Sequence, residues 1–240
     1  MLFEELNSVH GDYQRIMRRM TSSSEKETAA APTAAELARN RALRETALSE
    51  ARRNLILDAA RSAFLELGLD GASLREIAKR AGYTPGAIYT YFANLEDIYG
   101  ALLDESLQRL QKAVNSAEHA MAADSPPAAR LRAVAYAFYA YYRDHPKDLD
   151  LGFYLFNGAR PRGLTSEHNR RLNSQLMAAL EPIRRTLEET GLAPDQVVLE
   201  TTGIFAHIVG TLMLANTGRI RLFKQDPDTL FNRYLDTLLK

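Results

Sequence analysis

Residues 84–91 read TPGAIYTY, a stretch of hydroxyl-bearing, aromatic and small side chains that carries no charge. Side chains of this kind let a backbone approach the edges of DNA bases closely, and small apolar groups can contact the methyl group of thymine. On a short helix in which Ile88 and Phe92 face inward, the residues left on the outer face are Thr84, Pro85, Ala87, Thr90 and Tyr91. The stretch therefore predicts a base-reading surface, provided that the flanking elements hold it in position.

The flanking residues predict a helix, a tight turn and a second helix. Ser73 with Glu76 three residues later is typical of the capping box that begins a helix. Gly82 supplies the positive φ of a sharp turn, and Thr84 followed by Pro85 is suited to cap and begin the second helix. This is the plan of a DNA-binding helix-turn-helix. The alternative is a tight corner between two buried helices that does not bind DNA.

The block from about residue 54 to residue 103 resembles the DNA-binding domain of the tetracycline-repressor (TetR) family. The pattern in that family is an opening helix ending in F-x-x-x-G, a short helix with I-A-x-x-A-G, then Y-x-x-F and a final amphipathic helix. This sequence offers AFLELGLDGASLREIAKRAGYTPGAIYTYFANLEDIYGALL. The resemblance implies an all-α protein with an N-terminal three-helix helix-turn-helix domain, followed by a larger helical domain for ligand binding and dimerisation. It also implies a transcriptional regulator, most often a repressor, that a small-molecule ligand releases or modulates.

The resemblance implies roles for individual residues of the second helix. Thr84, Pro85 and Gly86 would lie close to bases at its start. Tyr89 matches a family tyrosine that contacts backbone phosphate, and Tyr91 stands where the family most often has a histidine near phosphate. The alternative for both tyrosines is a place in the core.

Affinity for phosphate must come from outside residues 81–97, which contain no lysine or arginine. The helix before the turn crosses the DNA backbone in this motif, and it carries three basic residues, Arg75, Lys79 and Arg80. An arm that reaches the minor groove or flanking phosphates could be formed by Arg39, Arg41 and Arg44. The alternative for these three arginines is a solvated helix face. Leu95 departs from the family pattern, because a lysine commonly anchors phosphate at that position.

Eight of the chain's aromatic residues fall between residues 136 and 156. Tyrosine combines an apolar body with a polar tip, as small-molecule pockets require. Because the resemblance implies a ligand cavity in this part of the chain, we predict an effector pocket formed by Tyr136, Tyr139, Tyr142, His145, Phe153, Tyr154, Asn157 and His207. The alternative is that the aromatic residues form a plain hydrophobic core.

Enzymatic chemistry has little support in the sequence. The chain contains no cysteine, which excludes disulfides, thiolate metal sites and cysteine nucleophiles. No two histidines have a helical metal-ligand spacing, so we expect neither metal nor cofactor. His145, His168 or His207 could serve as a base, but no Ser-His-Asp order or phosphate loop accompanies them. We expect a regulator and not an enzyme, and the alternative is a scaffold that binds a protein through the helix-turn-helix fold.

The chain divides by composition and periodicity into three parts. Residues 1–35 form a disordered or weakly helical extension, residues 36–94 the helix-turn-helix domain with its basic arm, and residues 95–240 the ligand-binding and dimerisation domain. Nine helices are predicted after the extension, three short ones within 51–92 and six longer ones, including a long helix bent at Pro182.

The two terminal helices, predicted at 195–218 and 227–239, carry broad apolar stripes that favour a homodimer. A two-fold dimer suits a palindromic operator in double-stranded DNA. The N-terminus lacks the apolar segment of a signal peptide, and the apolar run at 203–216 is shorter than the ~20 residues that span a bilayer. The sequence therefore predicts a soluble, cytoplasmic protein that does not bind membranes.

Overall fold

The computed structural model of the chain describes residues 33–153 and 165–239, apart from the side chains of residues 69, 70 and 153, and all regular structure within these ranges is helical. The predicted all-α class is confirmed. The described residues form two compact units, of which one ends at Glu50 and the other begins at Ala51. Their helices are α1 (Ala34–Gly71), α2 (Leu74–Ala81), α3 (Pro85–Ile88), α4 (Leu95–His119), α5 (Pro127–Asp144), α6 (Pro146–Phe153), α7 (Ser166–Glu189), α8 (Pro194–Asn216), a 3₁₀ helix (Arg219–Phe223) and α9 (Pro227–Leu238).

Helix α1 begins earlier than the sequence predicted. The Thr33 hydroxyl accepts a hydrogen bond from the Glu36 backbone N–H at 3.3 Å, and the Glu36 carboxylate accepts one from the Thr33 N–H at 2.7 Å. This reciprocal capping box begins a helix of 38 residues at Ala34. The prediction of a short opening helix after residue 51 is therefore wrong. The alanine, leucine, arginine and glutamate residues of positions 34–50 have high helix propensity, and all of these positions are exposed.

The core-facing side of α1 agrees with its periodicity except at its end. Its buried side chains are Ile56, Leu57, Ala59, Ala60, Ala63 and Phe64. Leu67 continues the same stripe, yet it is 45% exposed. Periodicity gives the direction of a side chain, but it does not show whether a neighbouring helix lies there. Gly68 has a positive φ of 70° and interrupts the helical backbone.

Helix α4 connects the helix-turn-helix to the larger helical part. The Asn94 side chain caps it by accepting a hydrogen bond from the Asp97 N–H at 2.8 Å. Helix α4 then packs against α5, α6 and α7. Helix α7 continues from Ser166 to Glu189 through Pro182, which is buried within it. The proline therefore does not divide the helix.

Helix α8 is longer and more exposed than its apolar run suggested. It extends over 23 residues from Pro194 to Asn216, and only 33% of its most apolar window is buried. By length and composition alone it is sufficient to cross a membrane, a test that the core helix of a soluble protein also passes. Helix α9 packs against it, so close that a Cβ on Gly203 would lie 3.2 Å from the Tyr234 hydroxyl.

Candidate nucleic-acid interface

The turn between α2 and α3 has the backbone that the sequence predicted. Gly82 adopts φ 73° and ψ 25°, in the left-handed region that favours glycine. The Tyr83 N–H donates to the Ala78 carbonyl at 2.9 Å, and the Gly82 N–H donates to the Lys79 carbonyl at 3.3 Å. This Schellman arrangement ends α2 and satisfies its last carbonyls. The chain is thereby redirected into α3 within three residues.

Both helices of the motif are capped by hydroxyl side chains. Ser73 accepts a hydrogen bond from the Glu76 N–H at 3.2 Å and begins α2. Thr84 accepts one from the Ala87 N–H at 3.3 Å, and Pro85 occupies the first helical position of α3. These hydrogen bonds confirm Ser73 and Thr84 as the caps. The Glu76 carboxylate binds Arg80 and not the Ser73 N–H, so the reciprocal half of the predicted capping box is not formed.

Helix α3 has an exposed outer face and an inner face that is buried in the core. Ile88 and Phe92 are buried in the core beside Ile77 and Ala78 of α2. The exposed residues of the stretch are Thr84, Pro85, Gly86, Tyr89 and Thr90, with Ala87 half-buried. Six residues that we predicted near DNA therefore lie in one continuous stretch beside a rigid core. A short, exposed helix without charge, held by buried isoleucine, is suited to enter a major groove.

The two tyrosines of the stretch differ in exposure. Tyr89 is 58% exposed and directed away from the core, as expected for a side chain that contacts phosphate. Tyr91 is half-buried and packs against the core, so it supports α3 from behind. The placement of Tyr91 on the outer face is wrong in this respect, because its ring fills space beside the buried cluster. Leu95 also packs against the core from the first turn of α4.

Ion pairing divides the basic residues of positions 51–92 into two groups. Arg61 and Arg80 bind carboxylates of the protein itself. Within the described ranges no carboxylate lies in ion-pair distance of the other four, Arg52, Arg53, Arg75 and Lys79. Arg75 and Lys79 are exposed on α2, the helix expected to cross the DNA backbone. They are the cations of α2 that remain available to phosphate.

Arg80 is held by three contacts inside the motif. Its Nε lies 2.8 Å from the Glu76 carboxylate, its Nη2 2.9 Å from the Glu66 carboxylate, and its Nη1 2.9 Å from the Ser62 hydroxyl. Because each guanidinium nitrogen already has an acceptor, Arg80 is poorly placed for the predicted phosphate contact. Its contacts instead tie α2 to α1. No sequence signal indicated this, since Glu66 lies on a different helix.

The predicted basic arm is a regular helix in this structure. Arg39, Arg41 and Arg44 lie in the first half of α1, where every residue is exposed. Arg41 pairs with Glu45 at 2.9 Å, an exposed i,i+4 contact that contributes little to stability. Arg44 has no ion-pair partner within the described ranges. Its proposed contact with DNA stays a prediction, but the arm it belongs to is helical.

The predicted effector pocket stays a prediction. Surface cavities of about 200 and 370 Å³ within the described residues are lined by other side chains. The Phe153 side chain, Tyr154 and Asn157 lie outside the described residues. His145 is exposed and ends α5, with its Nδ1 2.8 Å from the Tyr141 carbonyl, so it acts as a helix cap. Tyr142 is buried against Phe138 at a ring-centroid distance of 5.6 Å.

Three of the predicted pocket residues belong to one aromatic cluster between α5, α8 and α9. Tyr139 stacks on Phe231 at 4.4 Å, and His207 stacks on Tyr234 at 4.0 Å. Tyr136 adjoins Tyr139 at 5.8 Å. Within the described residues the Tyr139 hydroxyl and the His207 Nε2 are buried without a hydrogen-bond partner. Burial lowers the pKa of His207, which favours its neutral form.

A polar network joins α1 to α4 and α6. The Glu105 carboxylate lies 3.1 Å from Arg61 Nη2 of α1 and 4.0 Å from Arg109 Nη1 on its own helix. Arg109 Nη2 in turn lies 3.0 Å from the buried carboxylate of Asp148 on α6, which also accepts a hydrogen bond from the Tyr141 hydroxyl. Sequence reasoning missed this network, because its contacts between helices join residues 44 positions apart (Arg61 and Glu105) and 39 positions apart (Arg109 and Asp148). They connect the helix-turn-helix to the part of the protein expected to bind the effector.

A helix-turn-helix with an exposed, threonine-capped second helix, joined by α4 to a larger helical part, defines a DNA-binding protein of the transcriptional-regulator class. The sequence profile described as "Bacterial regulatory proteins, tetR family" matches residues 56–102. The profile described as "Tetracyclin repressor-like, C-terminal domain" matches residues 131–238.

Individual proteins agree with these profiles. The HTH-type transcriptional regulator BetI of Burkholderia thailandensis is 32% identical over 154 residues, which are 61% of this chain and 78% of BetI. BetI of Yersinia pestis is 36% identical over 84 residues, which are 35% of this chain and 42% of that protein. The chain belongs to the TetR family of bacterial regulatory proteins.

Solved structures show the same fold. A tetR-family regulatory protein from Rhodococcus RHA1 superposes with a TM-score of 0.62 at 21% identity, over 78% of this chain and 95% of that one. FadR from Bacillus subtilis, in a complex with stearoyl-CoA, gives 0.60 at 24% identity, over 78% and 97%. The two profiles and the BetI relatives confirm the predicted resemblance and the function as a DNA-binding transcriptional regulator. The family consists of transcription regulators and not of enzymes.

Proposed function

We propose that this protein is a cytoplasmic homodimer that binds a palindromic operator through α3 and leaves it when a small-molecule effector binds the larger helical part. The observation that carries the DNA-binding surface is the exposed Thr84–Thr90 stretch on a helix whose inner face is locked by Ile88. Arg75 and Lys79 flank it with cations that lack an internal partner within the described residues. Phosphate contacts would fix the register, and the uncharged stretch would read bases.

The exposed face of α8 supports the dimer. Its exposed positions recur at helical spacing and are apolar or small, namely Leu199, Thr202, Ala206, Gly210 and Met213. A Cβ on Gly210 would meet nothing within 4 Å, so space for a second helix exists at this point. An apolar stripe of this kind on a monomer indicates a protein–protein interface. A two-fold interface presents the same face twice and places two α3 helices for two half-sites.

The aromatic cluster around Tyr139 and His207 supports an effector site. Buried polar atoms in native proteins nearly always have a hydrogen-bond partner, and a ligand or a water molecule is the usual one when the protein supplies none. The Tyr139 hydroxyl and the His207 Nε2 are two such atoms in one aromatic environment. Helix α9 contributes Phe231 and Tyr234 to the cluster, so an effector there would act on the proposed dimer face. Its effect on DNA binding requires unequal affinity for the two dimer shapes.

Selection of bound sequences from random double-stranded DNA tests the operator. We expect a palindrome whose half-sites are separated by about one helical turn, or 34–36 Å. The Thr84→Val variant should change the selected bases, because it alters a side chain at the start of α3. If the wild-type protein enriches no sequence, the proposal fails and the protein-binding alternative is favoured.

Sedimentation velocity tests the dimer. We expect Leu199→Glu to shift the protein toward the monomer, since it places a charge on the apolar face of α8. Leu43→Glu is the matched control, because Leu43 is comparably exposed on α1, at 59% against 68% for Leu199. Equal behaviour of the two variants would remove α8 from the interface.

A further inference from the structure

The guanidinium of Arg53, on α1, lies against the ring of Phe92, which follows α3 in the chain. Its guanidinium carbon lies 5.0 Å from the centroid of the Phe92 ring. Arginine stacks well on aromatic rings through its planar, weakly hydrated guanidinium. The Phe92 ring is itself 5% exposed and belongs to the core, so it is a rigid support for the cation.

The support is tied directly to α3. The Phe92 N–H donates to the Ile88 carbonyl at 3.0 Å, which continues the last turn of α3. Tyr89 and Thr90, both exposed, lie on that same turn. The position of Arg53 is therefore determined relative to the residues expected to contact DNA, although Arg53 lies more than thirty positions earlier in the sequence.

Arg53 also differs from Arg61 and Arg80 in the groups that its guanidinium contacts. Arg61 and Arg80 hold carboxylates of the protein at 2.8–3.2 Å. Within the described ranges Arg53 has no carboxylate partner, and it is half-buried, whereas Arg52 is exposed and contacts no ring. A cation held by stacking retains its N–H edge for another acceptor. It also loses less conformational entropy when it binds, because the side chain is ordered in advance.

The geometry points to Arg53 as a phosphate clamp: its guanidinium binds a backbone phosphate of the operator beside α3 and sets the orientation of that helix in the groove. Two parallel N–H···O bonds are the arrangement in which a guanidinium meets a phosphate. The partner is the phosphodiester backbone of double-stranded DNA, so the contact carries no base preference of its own. The inference rests on the proposed operator binding.

The experiment compares Arg53→Met with Arg52→Met in operator-binding titrations across a range of salt concentrations. Methionine keeps an apolar chain over the Phe92 ring and removes the charge. Each lost phosphate contact lowers the slope of log K against log salt concentration by about 0.9, so a dimer should lose about 1.8. We expect this loss, with an unchanged selected sequence, for Arg53→Met only. Urea denaturation of both variants checks that the fold is retained.

The outcomes separate the two proposals. If the wild-type protein binds no DNA, both the proposed function and the phosphate clamp are overturned. If the wild type binds its operator with a steep salt dependence that Arg53→Met leaves unchanged, the clamp is overturned alone. An equal loss of slope in Arg52→Met and Arg53→Met would also overturn it, because stacking on Phe92 would then confer no advantage. Arg53→Lys distinguishes charge from geometry, and we expect it to recover the slope but only part of the affinity.

Discussion

Replacing Asp148 by asparagine would remove a negative charge that α6 places next to α4. The Asp148 side chain is 9% exposed, and its Oδ2 lies 3.0 Å from Arg109 Nη2. Asparagine has the same shape and still accepts the hydrogen bond from the Tyr141 hydroxyl. The substitution therefore tests the charged contact with Arg109, with little change in packing.

The magnitude follows from the exposure of the two partners. A hydrogen bond to a charged group contributes about 1.5–3 kcal/mol to stability. Because the Arg109 side chain is 43% exposed, solvent screens part of the attraction, and we expect a loss of about 2 kcal/mol from the free energy of unfolding. The matched control is Asp58→Asn, which removes a contact of 3.2 Å with Arg61 from a carboxylate that is 71% exposed. That loss should be below about 0.5 kcal/mol.

The pH dependence gives the prediction a second measurement. Burial alone would raise the pKa of Asp148, but the hydrogen bonds from Tyr141 and Arg109 outweigh it and hold the pKa below its usual range. The carboxylate therefore contributes its full stability above the ordinary aspartate pKa of about 3.9. The contribution is lost as the pH falls through the lowered value of the folded state. The difference between wild type and variant should be constant near neutrality and should shrink in acid.

Urea denaturation at pH 7 and at a series of lower pH values is the assay. The reasoning is refuted if Asp148→Asn costs no more than Asp58→Asn at pH 7. It is also refuted if the difference from wild type grows on acidification.

Two further predictions concern the recognition motif. Gly82→Ala should cost about 1–2 kcal/mol in urea denaturation, because φ is 73° and the added Cβ meets nothing within 4 Å, so backbone strain is the only effect. Gly86→Ala is its control: the added Cβ meets only the Thr84 hydroxyl at 4.0 Å, and an equal cost would contradict the strain argument. Lys79→Gln should lower the salt slope of operator binding by about 0.9 per contact, whereas Arg80→Gln should leave the slope unchanged and reduce stability instead. A fall in slope for Arg80→Gln would show that its internal contacts open when DNA binds.

Local signals were sufficient to predict most of the helix ends. The caps at Ser73 and Thr84 are confirmed because each depends on a hydrogen bond that spans three residues. The positive φ of Gly82 is likewise a property of one residue and its neighbours. The fold class follows from the same signals, since every periodic segment was helical.

Contacts between distant residues could not be predicted in this way. Arg75 and Arg80 are both arginines of α2, and no local pattern distinguishes them. In the structure, however, Arg80 is bound to Glu66 and Ser62 of another helix. The network through Glu105 and Asp148 depends on how α1, α4 and α6 pack, which no local pattern specifies. The effector pocket stays a prediction, but one of its residues has a local role that the sequence did not indicate: the His145 ring contacts the Tyr141 carbonyl and caps the end of α5.

The beginning of α1 was missed because its exposed turns have no apolar periodicity to detect. Residues 34–50 are wholly exposed, so propensity and the Thr33–Glu36 capping box form the helix without a hydrophobic stripe. The 3₁₀ helix at Arg219–Phe223 was missed because five residues are too few for a period.

The exposure of α8 has a consequence for every stability measurement on this protein. In the single chain only 33% of the most apolar window of α8 is buried, so in the proposed dimer much of the stabilisation of this helix would come from the second chain that covers it. Unfolding would then be coupled to dissociation, and the melting temperature would rise with protein concentration. Each tenfold dilution would reduce the apparent stability of the dimer by about 1.4 kcal/mol. At a low concentration in the cell, the protein would therefore be less stable and would also occupy less of its operator.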